Sequence, residues 1–399
     1  MAPLNLAADE ERCTLQKMHV YELDYLRAVA MLGVLGIHTG AFAIGSPHVN
    51  IHFFLMFDIL TRFSVPIFFF ISAFGLFLNR SQKPFNYQDF LKRRLHVVFV
   101  PYVAWSLIYL LHQSLSEGNP AVLTPGNIST ALFYGLGSYH LYFLVILLWF
   151  YLLMPLWQRW LRIIVRHPLA WLTLLYILQT GFNYYSVTLL NTATGSDWLD
   201  TALKYRLNYW VLHYLFIFLL GAVCANFYEA FTDLLTRYRH ALVITGIISL
   251  VSVAAYYYHL IYDLQYTCEM ASSTLHQLHP LGVFYTVAMT LLLFSLFRRY
   301  IVPWQESAPA VALRNLGANS YVVYLVHPLV MQYLAQWIDA GPYERSIPVS
   351  LGFYGAAALF SYLISRALYK GQLFFPFFRY LTGSPPLARP QPKQMTRHM

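Results

Sequence analysis

Apolar runs long enough to cross a bilayer, roughly 20 residues each, follow one another along nearly the whole chain, separated by short polar stretches. On that pattern about ten membrane-spanning helices are expected, at 21–44, 53–78, 95–115, 140–157, 168–187, 209–228, 240–260, 280–297, 318–338 and 347–369. The implied architecture is all-α: a polytopic membrane helix bundle over residues 21–369, preceded by a short segment, 1–20. No stretch remains that could build a separate globular domain, and no internal repeat is visible. Residues 1–20 carry Asp9, Glu10 and Glu11, and the first apolar run is too long for a signal-peptide core, so the first span is expected to persist in the mature protein. The end, from 370 to 399, closes on the polar, Pro-rich "GSPPLARPQPKQMTRHM" and reads as a disordered tail.

Composition agrees, because 58% hydrophobic and 18% aromatic residues against 11% charged lie outside the balance of a soluble domain. The distribution of charge adds orientation. With the N-terminus in the cytoplasm, 20 of the 26 Lys and Arg fall on that side, including "RSQKPFNYQDFLKRR", Arg159, Arg162, Arg166, Arg298 and Arg299, and only Lys204, Arg206 and Arg345 in outer loops. Short loops rich in Lys and Arg stay in the cytoplasm, so both termini are placed there and the protein is expected to be multi-pass in the cell membrane. The formal charge of +9 then faces anionic lipid head groups and calls for no nucleic acid. Three cysteines scattered over this topology build neither a disulfide framework nor a metal site.

Ionisable residues inside a span carry the candidate chemistry, because each costs several kcal/mol unless it faces a protein interior or a wet cavity. In "ELDYLRAVAMLGVLGIHTG", Asp24, Arg27 and His38 fall within a helical sector of about 60°, with His38 about 16 Å beyond Arg27. One face of the first helix carries all three. This suits a functional pocket, and it equally suits an Asp24–Arg27 anchor at the inner interface with a satisfied histidine near the outer rim. In the ninth span Ser320, Tyr324 and His327 share a face by i, i+4, i+7 spacing. His327 precedes Pro328, which removes a backbone donor and is expected to loosen the helix; a histidine capping the freed carbonyls is one reading of that site.

Several stretches, in this order, resemble the acyltransferase-3 family of membrane proteins, which includes O-acetyltransferases of bacterial surface polysaccharides. They are "LDYLRAVAMLGVLGIH" with its arginine and, eleven positions later, a histidine; "SVPIFFFISAFGLF"; "FLKRRLHVVFVPYVAW"; "HLYFLVILLWFYLLMP"; and "NSYVVYLVHPLV". The resemblance extends from about residue 21 to residue 369. It implies transfer of an acyl group, usually acetyl, from cytoplasmic acetyl-CoA or another acyl-CoA to a hydroxyl of a cell-surface or lipid-linked glycan. The donor is a substrate, so no permanently bound cofactor and no metal is expected. Expected partners are acyl-CoA, the glycan or lipid-linked sugar acceptor, membrane lipids and the polysaccharide synthesis machinery.

A sugar hydroxyl is a poor nucleophile and needs a base, and histidine with an unperturbed pKa of about 6.5 suits the task. The resemblance makes His38 the candidate base, or a carrier that holds the acyl group covalently, with His327 in support. Arg27, Arg93 and Arg94 are the candidates for the phosphates of coenzyme A, since the guanidinium fork matches phosphate oxygens; a basic cluster beside a span is also an ordinary topology signal. Many relatives carry a further basic residue four positions before the proline of that stretch, where this chain has Val97. His140, at the start of the fourth span, and Tyr324 are candidate acceptor contacts, His140 at the outer mouth. A second class of function stays open: proteins of similar sequence are described as exporters of poly-N-acetylglucosamine, and a buried polar face could line a permeation path.

Overall fold

The computed structural model describes residues 19–44, 49–78 and 85–384. Among them the secondary structure is helical throughout, with no strand. Six helices are long and apolar enough to cross a membrane: α1 (Tyr21–Ile44), α2 (Ile51–Leu78), α3 (Tyr87–Glu117), α9 (Arg239–Asp263), α10 (Pro280–Trp304) and α12 (Ile347–Gly371). Counting each of two bent pairs as one span gives up to eight: α4 (Tyr142–Leu152) with α5 (Met154–Ile164), bent by 69°, and α7 (Val211–Asn226) with α8 (Tyr228–Arg237), bent by 100°. The two remaining expected spans coincide with α6, Pro168–Tyr184, which has only 17 residues, and α11, Ala308–Asp339, which has 32 but carries polar side chains along its length, among them Asn319, His327 and Gln332.

Helix α1 sits at the centre, packed on α2, α11 and α12, while the second half of α2 lies along α7 and α9 pairs with α10. Close approach of α1 and α2 depends on a small residue: a Cβ at Gly40 would stand 2.8 Å from the Cβ of Asp58. Apolar side chains such as Ile244, Ile247 and Val251 on α9, and Leu359 and Leu363 on α12, point outward. Helices apolar on both faces are the form a bilayer selects, because their backbone bonds are met within the segment.

Three ion pairs lie inside the bundle. Asp24 takes Arg27 at 2.6 Å and His19 at 2.9 Å, Asp58 takes Arg62 at 2.6 Å, and Glu22 takes Arg298 at 3.0 Å. The Asp24–Arg27 pair expected of an interfacial anchor therefore forms, at the same end of the bundle as the start of α3.

Two local expectations are revised. Pro328 does not break α11, which runs as one helix through it. The tail begins later than 370: residues 372–384 fold back on α3, where Trp105 Nε1 donates to the Leu381 carbonyl at 3.0 Å and Thr382 is buried. The rest of the tail lies outside the described residues. Helix α3 also contains a π turn, Leu95–Phe99, just before Pro101, whose missing N–H leaves the Val97 carbonyl without its helical donor. Gly383, at φ +69°, brings its backbone against that carbonyl, where a Cβ would collide.

Candidate active site

Two cavities enter the bundle from opposite ends. The first, about 350 Å³, opens at the end where α1 and α3 begin, and its walls include Arg27, Arg94, Ser72, Tyr151, Ser320 and Tyr324. Arg27 reaches it while held by Asp24. Arg94 has no ion-pair partner among the described residues; its guanidinium lies over the rings of Phe90, at 5.7 Å, and Tyr151, at 5.4 Å. Neighbouring Arg93 is exposed and lines no part of the cavity. The expected arginine pair is thus split by helical geometry, about 100° per residue.

The second cavity, about 640 Å³, opens at the other end and is lined by His38, Tyr109, His112, Gln113, Glu117, Tyr139, Gln332 and Arg345, with Phe42 and Phe353 stacked at 4.0 Å. Its arginine is already engaged: Arg345 donates to Asp339 at 2.7 Å and to the Phe42 carbonyl at 2.9 Å.

Between the cavities stands a septum of rings. His38 stacks on His327 with centroids 5.3 Å apart, His327 meets His140 edge-on at 5.1 Å, and His140 meets Tyr324 at 5.0 Å. Tyr139 closes the other side of His38 at 4.7 Å. Tyr324 faces the first cavity and His38 the second, so four of the residues singled out in the sequence converge here. His140 does not lie at the outer mouth. It is 3% exposed, enclosed by the rings of Tyr109 at 5.4 Å and Tyr139 at 5.6 Å as well as those of Tyr324 and His327; before it the short helix Pro125–Tyr134 folds back on α3, Tyr102 donating to the Leu132 carbonyl at 2.6 Å.

The hydrogen bonds of the septum fix its chemistry. Pro328 has no N–H to give the carbonyl of Tyr324, its partner four residues back. His327 fills the place, with Nδ1 2.7 Å from that oxygen. A carbonyl only accepts, so Nδ1 carries the proton and Nε2 keeps a free lone pair. That Nε2 is buried and without a partner, as is Nε2 of His140, whose Nδ1 lies 3.1 Å from Ser138 Oγ. Unpaired buried polar atoms are uncommon in folded proteins, and two lie in one partition. The capping and functional readings of His327 are therefore compatible, since one bond does both. The Tyr324 hydroxyl donates to the His140 carbonyl and latches the partition shut.

Sequence reasoning missed Tyr109 and Tyr139, which no spacing signals, and the buried pair Asp58–Arg62, which donates on to the Ser272 carbonyl at 2.9 Å. That pair had the same signal as Asp24 and Arg27: opposite charges one turn apart in an apolar run.

A family model described as an acyltransferase domain matches residues 20–366. Among curated proteins, the chain is 24% identical over 377 residues to the "Probable poly-beta-1,6-N-acetyl-D-glucosamine export protein" of Staphylococcus aureus strain MSSA476, covering 92% of this chain and 96% of that protein. The counterpart from strain MRSA252 matches at 24% over 375 residues with the same coverage. No solved structure matches.

Proposed function

The chain belongs to the acyltransferase-3 family, and on that premise we propose that it moves an acyl group, acetyl in the simplest case, from acyl-CoA to a hydroxyl of a cell-surface or lipid-linked glycan. The observation that carries the reading is the histidine septum, with the free Nε2 lone pair of His327, at the meeting of a cavity lined by cations and one lined by aromatic, amide and imidazole groups. The end holding Arg27 and Arg94 faces the cytoplasm, which agrees with the count of basic loops. Donor phosphates meet Arg94 and Arg27 there, and the pantetheine arm runs along Ser72, Ser320 and Tyr324 towards the partition.

In the reaction the acceptor hydroxyl gives its proton to His38 as its oxygen attacks the thioester carbonyl. The carbon–sulfur bond breaks as the new ester bond forms, and the coenzyme A thiolate recovers the proton from the imidazolium. His327, stacked on His38, presents a neutral ring of fixed tautomer beside the positive charge that develops. A variant in which an imidazole carries the acyl group as a covalent intermediate uses the same groups in two steps. In either form the Tyr324–His140 latch opens for the acyl group to pass, at the cost of one hydrogen bond, about 1 kcal/mol.

A second reading, export of a polysaccharide, has support in the names of the relatives in Staphylococcus aureus. The closed partition speaks against a standing pore. One assay separates the two: purified protein in proteoliposomes, given acetyl-CoA outside and glycan within, is expected to release free coenzyme A with an equal amount of O-acetylated glycan. Glycan movement with no thiol release would overturn the transferase.

A further inference from the structure

A third cavity, about 180 Å³, opens on the flank of the bundle between α3 and α4. Phe99, Leu132, Leu148 and Trp149 line it, and Arg94 and Tyr151 close its inner end. Both closing residues also line the donor cavity. The rim faces the bilayer: Leu95, Phe99, Phe133 and Leu152 are all more than a third exposed, a surface that lipid covers in a membrane-spanning chain.

Its polar groups are almost all engaged. Tyr102 donates to the Leu132 carbonyl and the Tyr151 hydroxyl lies 3.3 Å from Ser72 Oγ. Arg94 alone keeps an unpaired charge, near the basic end of α3 where phosphate head groups lie. An apolar cleft ending on a guanidinium fits a chain with a phosphate at its head. The volume is below the roughly 300–1,000 Å³ of pockets that enclose whole ligands, so it suits part of one chain.

We propose that this cleft holds an acyl chain of an anionic membrane phospholipid whose phosphate pairs with Arg94, and that this lipid and the phosphates of the donor compete for the one guanidinium. The competition rests on the donor reading given above; the lipid site does not. Its consequence is a transferase whose affinity for donor follows the anionic lipid content of its own leaflet.

The full-length protein in phosphatidylcholine nanodiscs, with rising fractions of phosphatidylglycerol, tests both halves. Tryptophan quenching by brominated lipid, taken as the difference between wild type and Trp149→Phe, is expected to saturate at a low fraction of brominated phosphatidylglycerol and not of brominated phosphatidylcholine. Equal quenching by the two lipids would remove the site. In the second measurement the KM for acetyl-CoA is expected to rise about tenfold with phosphatidylglycerol, the loss of one charge-assisted contact. Leu132→Phe and Leu148→Phe, which fill the cleft, should abolish both the preferential quenching and the rise while leaving KM in pure phosphatidylcholine unchanged. These variants keep the surface charge of the disc, so a rise that persists in them is repulsion by the surface and overturns the competition. If either variant inserts poorly, Arg94→Gln answers by fluorescence alone, where a preference for phosphatidylglycerol that survives removes Arg94 from the site. Absence of acetyl-CoA turnover in any lipid counts against the donor reading, and the quenching result still decides the lipid site.

Discussion

The two main cavities are built on the same helices, α1 and α11 contributing to both, yet they treat charge in opposite ways. At the basic end, Arg94 is left without a carboxylate and Arg27 shares one. At the other end, Arg345 is bound to Asp339 and to a backbone carbonyl, and the remaining polar groups include imidazoles, amides, tyrosines and one exposed glutamate. Unpaired positive charge in a cavity favours an anion, whereas aromatic faces with neutral donors and acceptors suit an uncharged, hydroxylated molecule. Among the described residues the septum is what separates the two cavities. The contrast is between holding a ligand and transforming it, and substitutions on the two sides should differ in kind.

The largest effect is expected at the partition. His38→Ala should cut acyl transfer by about 10²- to 10⁴-fold, the usual contribution of a general base, while donor binding measured by calorimetry stays within a factor of two or so. His38 lies about 16 Å along the helix from Arg27, which is why binding is spared. Retained transfer would remove His38 from the chemistry, and lost binding would break the division between the cavities.

Next in size is the donor cavity. Arg94→Ala should raise the KM for acetyl-CoA by about ten- to a hundredfold, from the loss of roughly 1.5–3 kcal/mol of charge-assisted contact, with kcat little changed. Arg93→Ala should leave KM close to wild type, since that side chain is outside the cavity. Equal effects at the two positions would return both to the role of topology signals.

Much of this contrast was legible in the sequence, because a bilayer makes helices declare themselves as long apolar runs and makes charges inside them conspicuous. The ends of α1 match the expected first span, and His38 and His327 stood out as histidines in apolar helices. What was not legible depended on folding back. His140 reads as interfacial from its place at a helix start and is buried because Tyr109 on α3 and Tyr324 and His327 on α11 close around it. That Arg94 rather than Arg93 faces the cavity depends on the helix phase ahead of Pro101, which the π turn at Leu95–Phe99 shifts. The packing of residues 372–384 on α3 uses a Trp105 hydrogen bond and a glycine, neither of which has a periodicity to detect.

The smallest expected effect tests how the septum is set. Alanine at 328 restores a backbone N–H aimed at the Tyr324 carbonyl, so His327 loses the acceptor that holds its proton on Nδ1. A proline in a helix interior costs about 3 kcal/mol relative to alanine, and Pro328→Ala should therefore leave the melting temperature equal or higher. Transfer should nonetheless fall about tenfold, the worth of roughly one hydrogen bond, in kcat with KM for acetyl-CoA unchanged, because the ring can now turn and present N–H where the lone pair was. Loss of activity together with a gain in stability is the signature of a proline kept for chemistry. If Pro328→Ala is more stable and transfers at the wild-type rate, the bond from His327 only caps a freed carbonyl, and the difference between the two cavities must be explained without a fixed tautomer at their boundary.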